Sequence, residues 1–398
     1  MSPDNRPSQF RFNYSALASV SVGVDAASAL AERVLELRAQ RVFILGSASL
    51  SRVTGTFADF STALEGRVVG VFDRIGAHSP RQDVLSALAA ARAADADLLV
   101  AIGGGSIIDA CKVVQLALNQ ELHTEAELLE YAQFSDGTRG AKSGDYSLFT
   151  APSRVRQIAI PTTLSGAEYS NNAGVLDTAK SAKEGYRGLD LCPQHILYDP
   201  ALGRHTPEWL WLSTAIRSLD HAVEGYCSAD STGFLDGHFL QALRLFAESL
   251  PQTRANPEAL APRSLNQQAV WLACCGLGTV AHGASHGMGY ILGSLCGVPH
   301  GYTSCVLLPA VLQWNAAVNG ERQQALAEAL GRPDTDAATA VRDLVRSLGL
   351  PTSLREVGVA ESQFEEIARR ASRHPVVRNN PRAITGPAQC EEILQLAR

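Results

Sequence analysis

Ala96-Asp-Leu-Leu-Val-Ala-Ile-Gly-Gly-Gly-Ser-Ile-Ile-Asp-Ala-Cys-Lys112 is the stretch that decides the fold. Residues 98–102 are a nearly continuous apolar run, the pattern of a parallel strand covered on both faces. The glycines at 103–105 permit a sharp turn and a close approach to the backbone, and Ser106 is predicted to cap the helix that follows. Free N–H groups at that helix start would face a phosphate. A glycine triplet alone is also compatible with a turn that binds nothing, and no Gly-Lys-Ser/Thr ending follows to make it a Walker A loop.

The chain around this stretch has the composition of an ordinary globular protein. Its 398 residues are enough for two domains with sizeable cores. The formal net charge is -6 and no segment concentrates Lys and Arg, so we expect small-molecule partners and further copies of the chain rather than nucleic acid. The eight cysteines form no CxxC pair, which favours reduced thiols. Without an N-terminal apolar region or an apolar run of about 18 residues, the sequence predicts a cytoplasmic protein with no membrane segment.

Strands and helices alternate in the first half of the sequence. Apolar runs predict strands at residues 19–24, 41–45, 67–72 and 157–160, and helical spacing predicts helices at 26–37 and 82–94. Residues 143–154 are rich in turn formers and are interpreted as a loop. Such alternation predicts an α/β fold, a Rossmann-like parallel sheet with its ligand crevice at the carboxyl ends of the strands.

The pattern changes near residue 200. Strand-like runs nearly vanish, and apolar residues recur at three- and four-residue spacing, which predicts an all-helical domain. The predicted helical segments are 210–227, 237–250, 265–295, 320–330, 335–348 and 361–370. No low-complexity linker separates the halves, so we predict an α/β domain at 1–200 packed closely on a helical domain at 201–398.

Five runs of sequence stand in an order that is typical of one enzyme family. They are Gly103-Gly-Gly-Ser-Ile-Ile-Asp-Ala-Cys-Lys112, Ile160-Pro-Thr-Thr-Leu-Ser-Gly-Ala-Glu168, Leu219-Asp-His-Ala-Val-Glu-Gly-Tyr226, His286-Gly-Met-Gly with Val298-Pro-His-Gly301, and Asn379-Asn-Pro-Arg-Ala-Ile-Thr385. In these runs the chain resembles the iron-containing (group III) alcohol dehydrogenases, a family that includes the maleylacetate reductases. The resemblance extends from about residue 15 to the end of the chain.

The resemblance implies an N-terminal dinucleotide-binding domain, an all-helical C-terminal domain and an active site in the cleft between them. It implies that the chain binds NAD(P)H, with one group of residues on the cofactor side. By position these are Gly104, Gly105 and Ser106 for the pyrophosphate, Asp109 at another cofactor-side position, Thr162 and Thr163 for the nicotinamide half, and Lys183. Backbone donors and a lysine suit phosphate, and hydroxyls suit the carboxamide and ribose. Ser47 stands where many relatives carry an aspartate for the ribose 2′-hydroxyl, so NADPH is permitted as well as NADH.

The resemblance also implies a divalent metal, iron or zinc, held by an Asp and a His four apart on one helix and by two more His. Here His221 occupies the second position, but Arg217 occupies the first. Asp220 is no simple substitute, because adjacent helical residues point about 100° apart. His221, His286 and His300 could still form a three-His site. A permanent cation on the same helix face would nevertheless oppose a divalent ion.

Tyr290 is a second departure, because family members commonly carry His one turn after His286. His282 precedes His286 by one turn, so His282, His286 and Tyr290 are predicted to form a polar stripe on one helix. The expected reaction is hydride transfer between nicotinamide and a carbonyl or alcohol carbon. Without a metal, we expect Arg217, His221 and either Tyr290 or His286 to stabilise the developing alkoxide.

An arginine in the pocket favours a substrate with a carboxylate. The alternatives left open are a maleylacetate reductase proper, an NAD-dependent lyase of the dehydroquinate synthase type, and a cofactor-binding protein without turnover. The loss of the carboxylate ligand and the run 379–382 argue against the lyase, and intact cofactor motifs argue against the silent protein. The family resemblance implies a homodimer or a larger homo-oligomer.

Overall fold

The computed structural model describes residues 10, 12, 14–134, 137–148, 151–180 and 182–398. These residues divide into two compact units. The N-terminal unit comprises Tyr14–Thr206 and the C-terminal unit comprises Pro207–Arg398, together with Phe10 and Phe12. Each unit has its own core, and each is described separately below.

A six-stranded, fully parallel sheet forms the centre of the N-terminal unit. Its strands are β1 (Ser19–Val22), β2 (Val42–Gly46), β3 (Val68–Phe72), β4 (Leu98–Gly103), β6 (Arg156–Pro161) and β9 (His195–Tyr198), in the order β1-β9-β6-β4-β2-β3. Its helices include α1 (Ala26–Glu36), α2 (Ala48–Thr54), α3 (Thr56–Ala63), α4 (Arg81–Ala93) and α5 (Gly105–Asn119). Every residue of β2 and β4 is buried, as their unbroken apolar runs require. The predicted α/β fold is confirmed.

The strand order reverses between β2 and β4. From β2 the chain moves outward to β3, and from β4 it moves the other way to β6 and then to β9, which pairs with the edge strand β1. The two strands are paired in register, with Gly46 opposite Ile102. The loops that leave β2 and β4 therefore diverge at their carboxyl ends, and this point of an open α/β sheet is where ligands bind.

A second, antiparallel sheet in this unit was not predicted. It contains β5 (Gln133–Phe134), β7 (Asn172–Asp177) and β8 (Ala182–Arg187), and α6 (Glu125–Leu129) and α7 (Pro200–Gly203) complete the unit. Glycine and charged residues interrupt β7 and β8, so neither strand gives an apolar run. Arg81 at the start of α4 binds the carboxylates of Asp177 and Glu184, which pairs the charges that these strands bury.

Helices make up the regular structure of the C-terminal unit, and the described residues after Tyr198 contain no strand. The helices are α8 (Glu208–Cys227), α9 (Gly233–Ala255), α10 (Leu260–Cys274), α11 (Ala284–Cys296), α12 (His300–Ala329), α13 (Ala337–Ser347), α14 (Phe364–Ala371) and α15 (Pro387–Leu396). In the described residues, no helix is both long enough and apolar enough to cross a membrane.

One helical segment is wrong in the sequence prediction. Residues 265–295 are not continuous, because α10 ends at Cys274 and α11 begins only at Ala284. Gly278 between them has a φ of +87°, which favours glycine and does not occur inside a helix. The break gives α11 an N-terminus of its own, and His282 lies just before it.

Candidate active site

The glycine turn of the N-terminal unit connects β4 to α5. Gly103 has a φ of +155°, and Gly104 is the extended residue that precedes the helix. A Cβ atom at Gly104 would lie 2.9 Å from Cγ2 of Thr163, so only glycine fits without a shift. The predicted capping role of Ser106 is wrong, because the helix begins one residue earlier, at Gly105, and has no side-chain cap. The first N–H groups of α5 thus have no capping side chain, which suits an anion.

Other predicted cofactor residues lie at the same edge of the sheet. Thr162 follows β6, and its N–H donates to the carbonyl of Gly103 at 3.0 Å. Thr163 is buried against the glycine turn. Ser47 follows β2 and caps α2 through its Oγ, which accepts from the N–H of Leu50 at 3.4 Å. The carboxyl ends of β2, β4 and β6 therefore bring these residues to one side of the sheet.

Ser106 is held by the loop that follows β3. Its Oγ accepts from the N–H of His78 at 2.9 Å, and its carbonyl accepts from Oγ of Ser79 at 2.7 Å. Lys183 is exposed on β8 and lies close enough for its charge to act on His78. Burial, and then the charge of Lys183, lower the pKa of His78. A lysine near Ser106 adds positive charge at the start of α5.

Asp109 has partners inside the protein. Its Oδ2 accepts from the N–H of Gly174 at 3.0 Å, and its Oδ1 lies 3.4 Å from Nζ of Lys112. The first contact ties α5 to β7, and the second lies within α5. They leave Asp109 with a structural task in addition to the cofactor-side position that the resemblance implies.

In the C-terminal unit, α8 carries four ionisable residues on one side, three of them buried and one half-buried. They are Arg217, Asp220, His221 and Glu224, at spacings of three and four residues that place them on one broad helix face. Arg217 and Asp220 are 1% and 0% exposed. Charged groups at such depth need partners, and the neighbouring segments supply them.

Three histidines meet beside this face. Nδ1 of His221 lies 2.8 Å from Nε2 of His286 and 3.0 Å from Nε2 of His282. The three nitrogens lie within 4.8 Å of one another. The sequence prediction brought His221 and His286 together, and the structure adds His282 to them.

Glu224 fixes the start of α11, on which His286 lies. Its carboxylate accepts from the N–H groups of Gly283, Ser285 and His286 at 2.9, 2.7 and 3.3 Å. Oε2 of Glu224 also lies 2.7 Å from Nδ1 of His286. Oδ1 of Asn380 accepts from the N–H of Ala284, so each of the first N–H groups of the helix has a partner. The family-like run that contains Asn380 thus helps to hold His286 in place.

The predicted polar stripe is wrong in one respect, because His282 precedes α11 and does not lie on it. It reaches the cluster through the turn at Gly283, where Oδ1 of Asn380 lies 2.9 Å from where a Cβ atom would be. Tyr290, one turn after His286, is 39% exposed. Its ring stacks on His300 with the centroids 6.1 Å apart. His300 begins α12 and is outside the group of three nitrogens.

Arg217 is enclosed by a hydroxyl group, a carboxylate and an aromatic ring. Its Nη1 donates to Oγ of Ser304 at 3.1 Å and lies 3.8 Å from Oδ2 of Asp220. The guanidinium carbon lies 5.5 Å from the ring centroid of Tyr290. Asp220 also accepts from Ser285 and Ser304 at 2.7 and 2.6 Å. Among the described residues, Nε of Arg217 and Oδ1 of Asp220 have no hydrogen-bond partner, and buried atoms of this kind indicate a place for a water or ligand oxygen.

The electrostatics of the cluster keep His282 and His286 neutral. Burial, and then Arg217, lower the pKa of His282 to about 3 and the pKa of His286 well below its usual value. Burial raises the pKa of Asp220, against the effect of Arg217. Burial and Asp220 raise the pKa of Glu224, against three backbone N–H groups. Arg217 is therefore the permanent cation at the centre of this site.

The three histidine nitrogens are grouped closely enough to be candidate metal ligands, but they are spaced as hydrogen-bond partners and lie beside a permanent cation. Two nitrogens bound to one tetrahedral zinc lie about 3.3 Å apart, since each bond is about 2.0–2.1 Å long. The nitrogen pairs at 2.8 and 3.0 Å are closer, at the separation of hydrogen bonds. The charge of Arg217, which already acts on His282 and His286, opposes a second cation there.

The comparisons with known proteins agree with this architecture. Residues 18–200 match the model of the iron-containing alcohol dehydrogenases, and residues 211–397 match the C-terminal model of the same family. Dehydrogenase ALT3 of Alternaria alternata is 30% identical over 382 residues, 87% of this chain and 96% of its own. Maleylacetate reductase 1 of Rhodococcus opacus is 29% identical over 380 residues, 96% of this chain and 94% of its own.

Solved structures give the same result. The crystal structure of maleylacetate reductase from Agrobacterium tumefaciens has a TM-score of 0.81 and 25% identity, and the match covers 98% of both chains. These matches first define the class, an oxidoreductase of the dehydrogenase type. The chain belongs to the iron-containing alcohol dehydrogenase family. The predicted family and enzyme class are confirmed.

Asp220, Ser285 and Ser304 are site residues that the sequence prediction did not assign, whereas His282 was predicted as part of the polar stripe. The signal for His282 is its four-residue distance from His286, although the helix that the spacing suggests is absent. Asp220 is adjacent in sequence to His221, yet it faces Arg217 and the two serines. The serines carry no pattern of their own, because they meet Asp220 only in the folded chain.

Proposed function

We propose that this chain is an NAD(P)H-dependent alcohol dehydrogenase or carbonyl reductase that acts on a carboxylate-bearing or otherwise polar substrate at a site without a metal. The observation that carries the proposal is the buried guanidinium of Arg217 beside the histidine cluster, where the family resemblance expects a metal-binding carboxylate. A guanidinium supplies positive charge without a bound ion. The site then resembles an oxyanion hole more than a Lewis-acid centre.

The N-terminal unit is assigned to the cofactor. In this proposal Gly104, Gly105 and Ser106 hold the pyrophosphate at the start of α5, with Lys183 nearby for charge. Thr162 and Thr163 hold the nicotinamide half, and Ser47 faces the adenosine ribose. Asp109 supports the same region from within α5. Bound NAD(P)H would supply the hydride, and the protein positions it.

The C-terminal unit is assigned to the substrate. Hydride transfer to a carbonyl leaves negative charge on its oxygen, which the positive charge of Arg217 stabilises. The linked imidazoles of His221, His282 and His286 can pass a proton toward that oxygen. Tyr290 is partly exposed and its ring lies beside the guanidinium of Arg217. Its hydroxyl is therefore a further hydrogen-bond donor for the substrate. Because Arg217 is deeply buried, we assign it mainly to stabilising the charge on the reacting oxygen. Direct contact with a substrate carboxylate is the secondary role.

The substrate class follows from the positive charge of Arg217, which Asp220 at 3.8 Å offsets in part. A fixed positive charge attracts an oxo acid more than an unbranched aldehyde. Relatives named maleylacetate reductases, whose substrate carries carboxylates, are consistent with this preference.

The test is turnover with a matched panel. NADH and NADPH oxidation are followed with each oxo acid and with its methyl ester. We expect higher kcat/KM for each free acid and no loss after treatment with a chelator. Equal values for acid and ester would remove the carboxylate from the proposal, and loss of turnover after chelation would remove the metal-free site.

A Gly104→Ala variant tests the cofactor side. Its Cβ atom would lie 2.9 Å from Thr163, so the glycine turn or the threonine must shift. We expect the Kd for NADH to rise about tenfold or more, because small misplacements at a binding site are costly. Gly237→Ala is the control, since a Cβ there has nothing within 4 Å. An unchanged Kd, measured by nucleotide fluorescence, would place the cofactor elsewhere.

The compartment and the assembly belong to the same proposal. The eight described cysteines are thiols outside any disulfide, which suits the reducing cytoplasm. A homodimer or larger homo-oligomer is expected from the family, and light scattering of the purified chain measures it directly.

A further inference from the structure

Lys112 is a fully buried lysine that the proposed reaction does not use. It lies on α5, two turns after the glycine turn, and is 0% exposed. Burying an ammonium group is unfavourable unless it is paired and hydrogen-bonded. The partners of Lys112 therefore indicate what its burial accomplishes.

Lys112 is bonded to one short segment of the chain. Its Nζ donates to the carbonyl oxygens of Ala167 and Asn172 at 2.6 and 2.8 Å, and to Oγ of Ser170 at 3.3 Å. The carboxylate of Asp109, at 3.4 Å, balances its charge. Three of the four contacts therefore hold residues 167–172, which begin four residues after Thr163.

The same segment touches the glycine turn at its other end. Cβ atoms at Gly104 and Gly105 would lie 2.9 Å from Thr163 and 3.0 Å from Ser165. The N–H of Thr162 donates to Gly103. Residues 162–172 thus cross over the start of α5, in contact with the glycine turn at one end and pinned by Lys112 at the other.

We propose that Lys112 is a positioning residue for the cofactor, which fixes the turn of Thr162 and Thr163 against the glycine turn. The proposal rests on the proposed binding of NAD(P)H. In that assignment the two turns hold different parts of the cofactor. Releasing residues 167–172 frees the threonine turn, while β4 and α5 still form the glycine turn. Loss of Lys112 therefore weakens binding of the nicotinamide half and leaves binding of the pyrophosphate unchanged.

The experiment compares two ligands by titration calorimetry on the full-length protein. NADH occupies both turns, and ADP-ribose lacks nicotinamide. For Lys112→Met, we expect the Kd of NADH to rise about tenfold or more and the Kd of ADP-ribose to change less than about twofold. Ser170→Ala removes one of the contacts of Lys112, together with weak bonds of the same hydroxyl to Ala167 and Asn172, so the Kd of NADH should rise about threefold. If Lys112→Met does not fold, the Kd values of Ser170→Ala for the two ligands test the role of Lys112.

Val34→Ala is the matched control for lost stability. Val34 is buried in α1 and packs in the core of the same unit, away from both turns. It should leave both dissociation constants unchanged. Equal losses for NADH and ADP-ribose, or no loss in either variant, would overturn the role of Lys112. Failure of the unsubstituted protein to bind either ligand would instead overturn the proposed function, and the role of Lys112 with it.

Discussion

An Arg217→Asp variant is expected to bind one divalent metal ion per chain, whereas the unsubstituted protein is expected to contain far less. The substitution changes the charge beside the histidines by two units. For a divalent ion at about 5 Å and an effective dielectric constant of about 20, each unit of side-chain charge is equivalent to about 7 kcal/mol. A gain in metal affinity of at least about a thousandfold follows from that charge change. The new carboxylate also stands four residues before His221, on the same face of α8.

Metal content measures this prediction. Both proteins are purified without chelator and analysed for iron and zinc, and Zn²⁺ is then titrated into the apoproteins. Arg217→Asn separates the two causes, because it removes the positive charge without adding a ligand, and it should give an intermediate affinity. Stoichiometric iron or zinc in the unsubstituted protein would show that the histidines suffice and that Arg217 does not exclude the ion.

The parallel sheet could be predicted from the sequence because its strands are buried on both faces. Such strands give continuous apolar runs, as in residues 98–102, and β4 forms within one residue of that prediction. The antiparallel sheet could not be predicted in the same way. β8 buries Glu184, and the charge partner that permits this is Arg81, about a hundred residues away. Local sequence contains no sign of such a distant pair.

The site shows the same division between local and distant signals. Arg217 and His221 share a helix, so their common face follows from a spacing of four. The place of His282 depends on the break before α11. At that break Glu224 accepts from the N–H of Gly283, and Asn380 accepts from the N–H of Ala284. Contacts between residues 60 to 100 positions apart determine the histidine cluster. Spacing alone suggested a helix there and was wrong.

Glu168 offers a test of pH dependence in the N-terminal unit. It is fully buried, and Tyr198 donates a hydrogen bond to it. Burial raises its pKa from 4.5 to about 7. The folded state therefore keeps a proton that the unfolded chain releases, and stability falls as the pH rises from about 4.5 to about 7, by about 3 kcal/mol. Glu168→Gln should remove this fall, and urea unfolding of both proteins at pH 5 and pH 8 measures it.

Replacing Arg217 by methionine should lower kcat/KM by about 10²–10³-fold, the usual effect of removing one group that stabilises an oxyanion. Methionine fills much of the same volume without charge. The affinity for NADH should stay unchanged, because Arg217 contacts residues of the C-terminal unit, such as Ser304 and Tyr290. A value of kcat/KM within about threefold of the original would remove Arg217 from the reaction, since it is far below the expected loss.

Asp220 complicates that experiment, and a second variant resolves it. Without Arg217, the buried carboxylate of Asp220 has lost its counter-charge, and this alone could disturb the site. Arg217→Met combined with Asp220→Asn removes both charges and should recover stability but not activity. The kinetic constants then distinguish the two tasks of the guanidinium. A loss mainly in kcat places its charge at the developing alkoxide, whereas a rise in KM limited to free acids places it at the substrate carboxylate.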